Sequence, residues 1–81
     1  MLNKLAKIKR DNGTEKAILD AAGKVFTLKG FAAARMDDIA KEAGINRALL
    51  HYYFRSKDKM FDLIFDQRVH EFFSGLGEII L

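Results

Sequence analysis

Cysteine is absent from the 81 residues of this chain, and so are several patterns that define other classes of protein. Without cysteine there are no disulfides and no cysteine-based zinc site. No uninterrupted apolar run approaches the ~20 residues that a membrane-spanning helix requires. Lysines and arginines interrupt the N-terminal residues 1–13 too often for the apolar part of a signal peptide. These absences predict a cytoplasmic protein without a membrane segment.

Motifs for catalysis and metal binding are also missing from the sequence. There is no glycine-rich phosphate loop or nucleophile motif. Asp37 and Asp38 are adjacent, so in a helix their carboxylates diverge instead of converging on a substrate. His51 and His70 fall in different predicted helices, with no cysteine to complete a metal site. The sequence therefore predicts no enzyme, no metal and no cofactor.

The charge of the chain is unevenly distributed. Residues 1–59 hold 13 Lys or Arg and 7 Asp or Glu, a balance of +6, whereas residues 60–81 hold Arg68 against four acidic residues. A basic segment is what binding to a phosphate backbone requires, although a solvated basic face is equally compatible with it. The four cations within residues 1–11 favour a basic N-terminal arm along the phosphates, with a solvated tail as the alternative.

Four helices are predicted, which gives an all-α fold. The first begins near Thr14, with Asn12 as a competing cap, and ends at Gly30. Gly23 interrupts it, which indicates a close approach by another helix. The three-and-four spacing of apolar residues predicts an inward face on this helix. Its members are Ile18, Ala21, Ala22, Val25 and Phe26.

The stretch 35–59 predicts a helix-turn-helix. A short helix ends near Ala43, Gly44 forms the turn, and Asn46 caps a second short helix. Ser56 caps a fourth, longer helix. We therefore expect a three-helix, homeodomain-like head followed by the start of that long helix.

The apolar surface of the long helix is too wide for one three-helix core to cover. It continues to the last residue, and an exposed apolar patch of this kind favours association. A domain this small also buries only roughly 60% of its unfolded surface. We expect the chain to be the front part of a longer protein, with a protein interface as the alternative.

The third helix carries the candidate contacts to DNA. Arg47 has the planar fork that reads guanine O6 and N7, although a phosphate contact is equally compatible. Ala48 allows close approach and contact with a thymine methyl group. His51 and Tyr52 offer hydrogen bonds to a base or a phosphate, and Tyr53 places its ring in the core with its hydroxyl outside.

Residues 38–60 closely resemble the helix-turn-helix of the TetR family of bacterial transcriptional regulators, and the likeness extends over residues 14–72. The motifs that carry it are Ile18-Leu19, Ala21-Ala22, Gly30-Phe31, Asp38-Ile39-Ala40, Ala43-Gly44, Tyr53-Phe54 and Ser56-Lys57. The resemblance implies a three-helix DNA-binding head over residues 12–72 and a continuation of the fourth helix over residues 73–81 towards a regulatory domain. It also implies a homodimer on a palindromic double-stranded DNA operator, and a small-molecule effector that releases it.

Several residues depart from the family pattern, and they bear on DNA contact. Arg35 stands where a capping Thr is usual, so we expect it to contact phosphate by charge while Asp37 takes over the cap. Leu49 replaces a common Thr and His51 a common Tyr. Lys57, at the start of the fourth helix, is expected to grip a phosphate, as the resemblance implies.

The helix-turn-helix thus predicts a sequence-specific DNA-binding regulator with its third helix in the major groove, and the resemblance implies that it is a ligand-responsive repressor. The alternative is a helical interaction module that docks on a protein through its apolar fourth helix.

Overall fold

The computed structural model describes residues 12–80 of the chain, and the predicted basic arm over residues 1–11 lies outside them. Within this range the chain forms four helices: α1 (Asn12–Lys29), α2 (Met36–Ala43), α3 (Arg47–Tyr53) and α4 (Lys57–Ile80). The all-α prediction is confirmed. Helix α4 is continuous across residues 72 and 73, where we placed the boundary between the head and the continuation of the helix.

The core lies where α1, α2 and α3 meet the first turns of α4. Four large side chains in it have no significant exposure: Ile18, Ile39, Leu50 and Met60. The inward face predicted for α1 is confirmed, with Phe26 half-buried at its margin. Met60 and Ala34 also belong to the core, and the sequence analysis did not predict either of them.

Helix α1 begins two residues earlier than Thr14. Thr14 therefore lies inside the helix, and the prediction that it caps α1 is wrong. The competing cap, the Asn12 side chain, lies outside what the structure describes. The opposite end agrees with the sequence, because Gly30 has a positive φ of 84° and its amide donates to the Phe26 carbonyl at 2.8 Å.

The turn between α2 and α3 is short and closed by main-chain hydrogen bonds. Gly44 has φ 75°, which favours glycine, and its amide reaches the carbonyls of Ala40 and Lys41. The Ile45 amide donates to Ala40 at 3.0 Å, and the Ile45 side chain packs against the core as predicted. This turn fixes how α3 lies across α2.

Three phenylalanine rings join α1, the 30–35 connection and α4. The ring centroid of Phe31 lies 5.5 Å from that of Phe26 and 5.1 Å from that of Phe61, and the other two are 5.8 Å apart. Two of these contacts are edge-on and the one between Phe26 and Phe31 is tilted, and aromatic pairs of this kind stabilise beyond the burial of area. They hold the start of α4 against α1.

Candidate nucleic-acid interface

Helix α3 owes its start to a side-chain cap. Asn46 is extended (φ −85°, ψ 166°), and its Oδ1 accepts a hydrogen bond from the Leu49 amide at 2.7 Å. The prediction that Asn46 caps this helix is confirmed. Without that cap a helix of seven residues has little to hold its first turn.

The outer face of α3 is defined by what the inner face buries. Leu50 is fully buried and Phe54 nearly so. At 100° per residue, Ala48 and Tyr52 lie most nearly opposite Leu50. Both are exposed, and Tyr52 is exposed over 67% of its surface.

The other predicted contacts on α3 lie on either side of Ala48 and Tyr52. Arg47 is exposed, whereas His51 is half-buried. Tyr53 is half-buried and packs against the core, and its ring meets that of Tyr52 edge-on at 5.2 Å. Leu49, which is 39% exposed, adds an apolar side chain to the same outer surface.

The cap of α2 is provided by Asp38, so the prediction for Asp37 is wrong. The Arg35 amide donates to Asp38 Oδ2 at 3.1 Å, and Lys29 Nζ lies 3.2 Å from the same oxygen. The Arg35 guanidinium has no acceptor atom, so only the carboxylate half of a capping box forms. The Lys29 hydrogen bond, and then the Arg35 amide, hold the pKa of Asp38 below its usual value.

Asp37 instead faces the recognition helix. Its Oδ1 lies 3.4 Å from Nη1 of Arg47, across the helix-turn-helix. About two-thirds of each side chain is exposed to solvent. The residue predicted to read a base is thus already paired with a carboxylate.

The Lys57 side chain, predicted to contact a phosphate, is bound to main-chain carbonyls of the 30–35 connection. Its ammonium donates to the carbonyls of Phe31, Ala32 and Ala34, all within 3.1 Å, and lies 4.5 Å from the Phe31 ring centroid. An ammonium has three hydrogens, so these carbonyls use all of them. Lys57 therefore ties the 30–35 connection to the start of α4.

A basic groove of about 470 Å³ opens beside α3, between the starts of α2 and α4. It is lined by Ala34, Arg35, Met36, Asp37, Arg47, Arg55, Ser56 and Lys57. Arg55 was not among the predicted contacts. The signal for it was its position between the end of α3 and the cap Ser56, where a basic residue is brought to the surface that Arg47 shares.

A second groove, of about 540 Å³, lies between α1 and α4. Its charged side chains are of both signs and include Lys16, Asp20, Arg68 and Glu71. It shares no lining residue with the basic groove. The positive surface next to α3 is therefore the candidate for contact with a polyanion.

Two other kinds of feature were sought among the described residues, a metal site and a membrane-spanning helix. No three His, Asp or Glu side chains among those residues converge as metal ligands. None of the helices α1–α4, as far as they are described, is long and apolar enough to cross a membrane.

A capped helix that exposes Arg47, Ala48 and Tyr52 beside a groove with three arginines defines a DNA-binding helix-turn-helix. The family model for bacterial regulatory proteins of the tetR family matches residues 18–64. The chain belongs to the TetR family.

Individual relatives agree with that assignment. The uncharacterised regulator YhgD of Bacillus subtilis is 39% identical over 57 residues, covering 70% of this chain and 30% of its own length. The activator FasR of Mycolicibacterium smegmatis is 33% identical over 63 residues, or 78% and 29% of the two chains. IcaR of Staphylococcus aureus, a negative regulator of the biofilm operon icaADBC, is 39% identical over 64 residues, or 79% and 32%.

The chain thus spans about 30% of the length of these relatives. A comparison with solved structures found no match.

Proposed function

We propose that the chain is the DNA-binding head of a ligand-responsive repressor, which binds a palindromic operator as a homodimer with α3 in the major groove. The observation that carries the proposal is the two-sided character of α3. Leu50 and Phe54 are buried, while Arg47, Ala48 and Tyr52 stand on the exposed side. An exposed face of this chemistry fits direct reading of base edges.

The phosphate contacts of this proposal differ in part from those that the sequence suggested, since Arg35 is kept, Arg55 is added and Lys57 is left out. We assign them to Arg35 and Arg55, whose guanidinium groups line the basic groove with no carboxylate within 4.0 Å in residues 13–77. Lys57 acts through the loop carbonyls that it holds. His51 and Tyr53 lie beside the exposed Ala48 and Tyr52 and are half-buried. Their positions suit hydrogen bonds to the DNA backbone more than to bases.

The homodimer and the small-molecule effector rest on the resemblance to longer regulators. In the relatives the matched segment is about 30% of the protein, which leaves room for a regulatory domain. Repression is proposed because IcaR is named a negative regulator. The alternative is activation of transcription, as in the name of FasR.

Selection of bound sites from random duplexes by the protein tests the proposal. Enrichment of an inverted repeat, with half-site centres one helical turn or about 34–36 Å apart, is the expected result. Absence of any enriched motif would contradict it.

A pair of arginine variants tests the phosphate assignment. Arg55→Gln should reduce the slope of log affinity against log salt concentration by about one unit, because one phosphate contact is lost. Arg68→Gln is the matched control, since Arg68 is also exposed but lies in the mixed-charge groove between α1 and α4. Equal slopes for the two variants would remove Arg55 from the interface.

The apolar surface of α4 supports a second candidate function, docking on a protein. Phe65, Phe72 and Phe73 are each more than half exposed. This candidate predicts that DNA affinity is independent of sequence and that Arg47→Ala has no effect on it. The enriched repeat and a dependence on Arg47 would decide in favour of the operator reader.

A further inference from the structure

The ion pair between Asp37 and Arg47 lies inside the surface proposed to meet DNA. Among the eight residues that line the basic groove, Asp37 alone is acidic. Asp38 is turned away from this role, since its carboxylate is held by the Arg35 amide and Lys29. Arg47 is also the one groove arginine in residues 13–77 that has a carboxylate partner within 4.0 Å.

We propose that Asp37 is a positioning residue that sets the sequence specificity of Arg47. The proposal rests on the proposed function, in which Arg47 reads a base from the first turn of α3. Asp37 acts by holding one side of the Arg47 guanidinium, so that the rest of the fork faces the groove of the DNA.

The ion pair between Asp37 and Arg47 has different effects on specific and on non-specific binding to DNA. A guanidinium has five N–H donors in a fixed plane, so Arg47 can keep Asp37 at Nη1 while other donors reach O6 and N7 of a guanine. In a non-specific complex Arg47 instead moves to a phosphate, which leaves the Asp37 carboxylate unpaired near other phosphates. That like-charge approach weakens the non-specific mode.

Specificity is a difference between two affinities, and weakening the wrong complex raises it as surely as strengthening the right one. Asp37 thus lowers affinity for DNA that lacks the guanine more than it lowers affinity for the operator. The pair is exposed, so its effect is modest, and about two- to fivefold is the range expected of such pairs.

The test compares Asp37→Asn with the unchanged protein on two duplexes, the site enriched by selection and a scrambled duplex of equal length. Affinity for the scrambled duplex should rise about two- to fivefold, and affinity for the selected site should change less. The ratio of the two affinities should therefore fall, by up to about two- to fivefold. An unchanged or larger ratio would overturn the proposal.

A second variant separates positioning from simple loss of charge. In an Arg47→Ala background, Asp37→Asn should no longer alter the ratio, because no guanidinium remains to be held. Asp58→Asn is the charge control, since Asp58 is an exposed carboxylate in the first turn of α4. It should change affinity for both duplexes by the same factor. A fall of the ratio in either experiment would assign the effect to charge alone and overturn the proposal.

Failure of this inference is distinguishable from failure of the proposed function. If Arg47→Ala lowers affinity for the selected site while Asp37→Asn leaves the ratio unchanged, only the role of Asp37 is wrong. If no site is enriched at all, both are wrong.

Discussion

At the scale of single residues, two charged side chains near the 30–35 connection have structural roles that their positions in the sequence do not suggest. Asp38 and Lys57 are both tied to main-chain groups, Asp38 to an amide and Lys57 to three carbonyls. Charged hydrogen bonds of this kind are stronger than neutral ones. Both residues therefore stabilise the main chain around the 30–35 connection.

Asp38 makes the stability of the protein depend on pH in the acid range. Its pKa is lowered in the folded state, chiefly by the Lys29 hydrogen bond, so its contribution is present above the unfolded pKa and is lost as pH falls through the folded value. Asp38→Asn should lower the free energy of unfolding near neutral pH, and the difference from the unchanged protein should shrink below about pH 4. Urea unfolding across the pH range measures this. A difference that is the same at every pH would show that the charge of Asp38 does not stabilise the fold.

Lys57 is expected to be a stability residue. Lys57→Met keeps the length of the side chain but leaves the carbonyls of Phe31, Ala32 and Ala34 without their donor. The free energy of unfolding should fall by about 1–3 kcal/mol. Lys59→Met serves as the control, because Lys59 is exposed and donates through its main-chain amide, not its ammonium. Equal stability of the two variants would mean that the three hydrogen bonds contribute nothing net.

At the scale of elements, the two short helices are defined by their ends. Helix α2 has eight residues and α3 seven, too few to be stable as isolated helices. Asp38 and Asn46 satisfy amides at their starts, and Gly44 ends α2. The longer α1 depends on its buried face instead, and it carries a glycine in mid-helix.

Gly23 in α1 is a position where a side chain is tolerated. The prediction of a close helix approach holds only for the end of a flexible side chain, because a Cβ at Gly23 would lie 3.6 Å from Arg68 Nη2. Gly23→Ala should raise the free energy of unfolding by about 0.5–1 kcal/mol, the gain in helix propensity. Thermal or urea unfolding provides the measurement.

Gly44→Ala is the comparison variant for Gly23→Ala, and its expected effect on stability has the opposite sign. Space is open around Gly44, but its φ of 75° strains any residue with a Cβ, so this variant should be destabilised by about 1 kcal/mol or more. A stabilising effect of alanine at both glycines would contradict the helix end described here.

At the scale of the whole molecule, the first and later turns of α4 differ in how deeply their side chains are buried. Met60 is fully buried in the head, whereas Phe72 and Phe73 are 62% and 63% exposed. The first turns of α4 are therefore part of the core, and the later turns carry an apolar surface that the described residues leave uncovered. The groove beside α3 thus lies near the first turns of α4, and the exposed phenylalanines lie on its later turns.

Two phenylalanine variants test this division. Phe54→Ala removes a ring that is 4% exposed and should cost about 3–5 kcal/mol. Phe72→Ala removes the same atoms from a ring that is 62% exposed and should change the free energy of unfolding by less than about 0.5 kcal/mol. A large loss for Phe72→Ala would show that the later part of α4 is packed in the protein.

The sequence by itself determined the family, the order of the four helices and several of their ends. Those features depend on local chemistry: Asn46 and Ser56 accept from nearby amides, Gly30 and Gly44 adopt positive φ, and Leu50 and Phe54 repeat at helical spacing. Local rules also gave the candidate face of α3, although which of its residues meet bases remains a prediction.

Only the tertiary structure decided which charged side chains are paired within the protein. Lys57 and the carbonyls it holds are separated by 23 to 26 residues, and Asp37 and Arg47 belong to different helices. Such pairs depend on how α2, α3 and α4 cross, and spacing along the chain does not specify that crossing. For the same reason Asp37 is paired with Arg47, and Arg55 joined the basic groove.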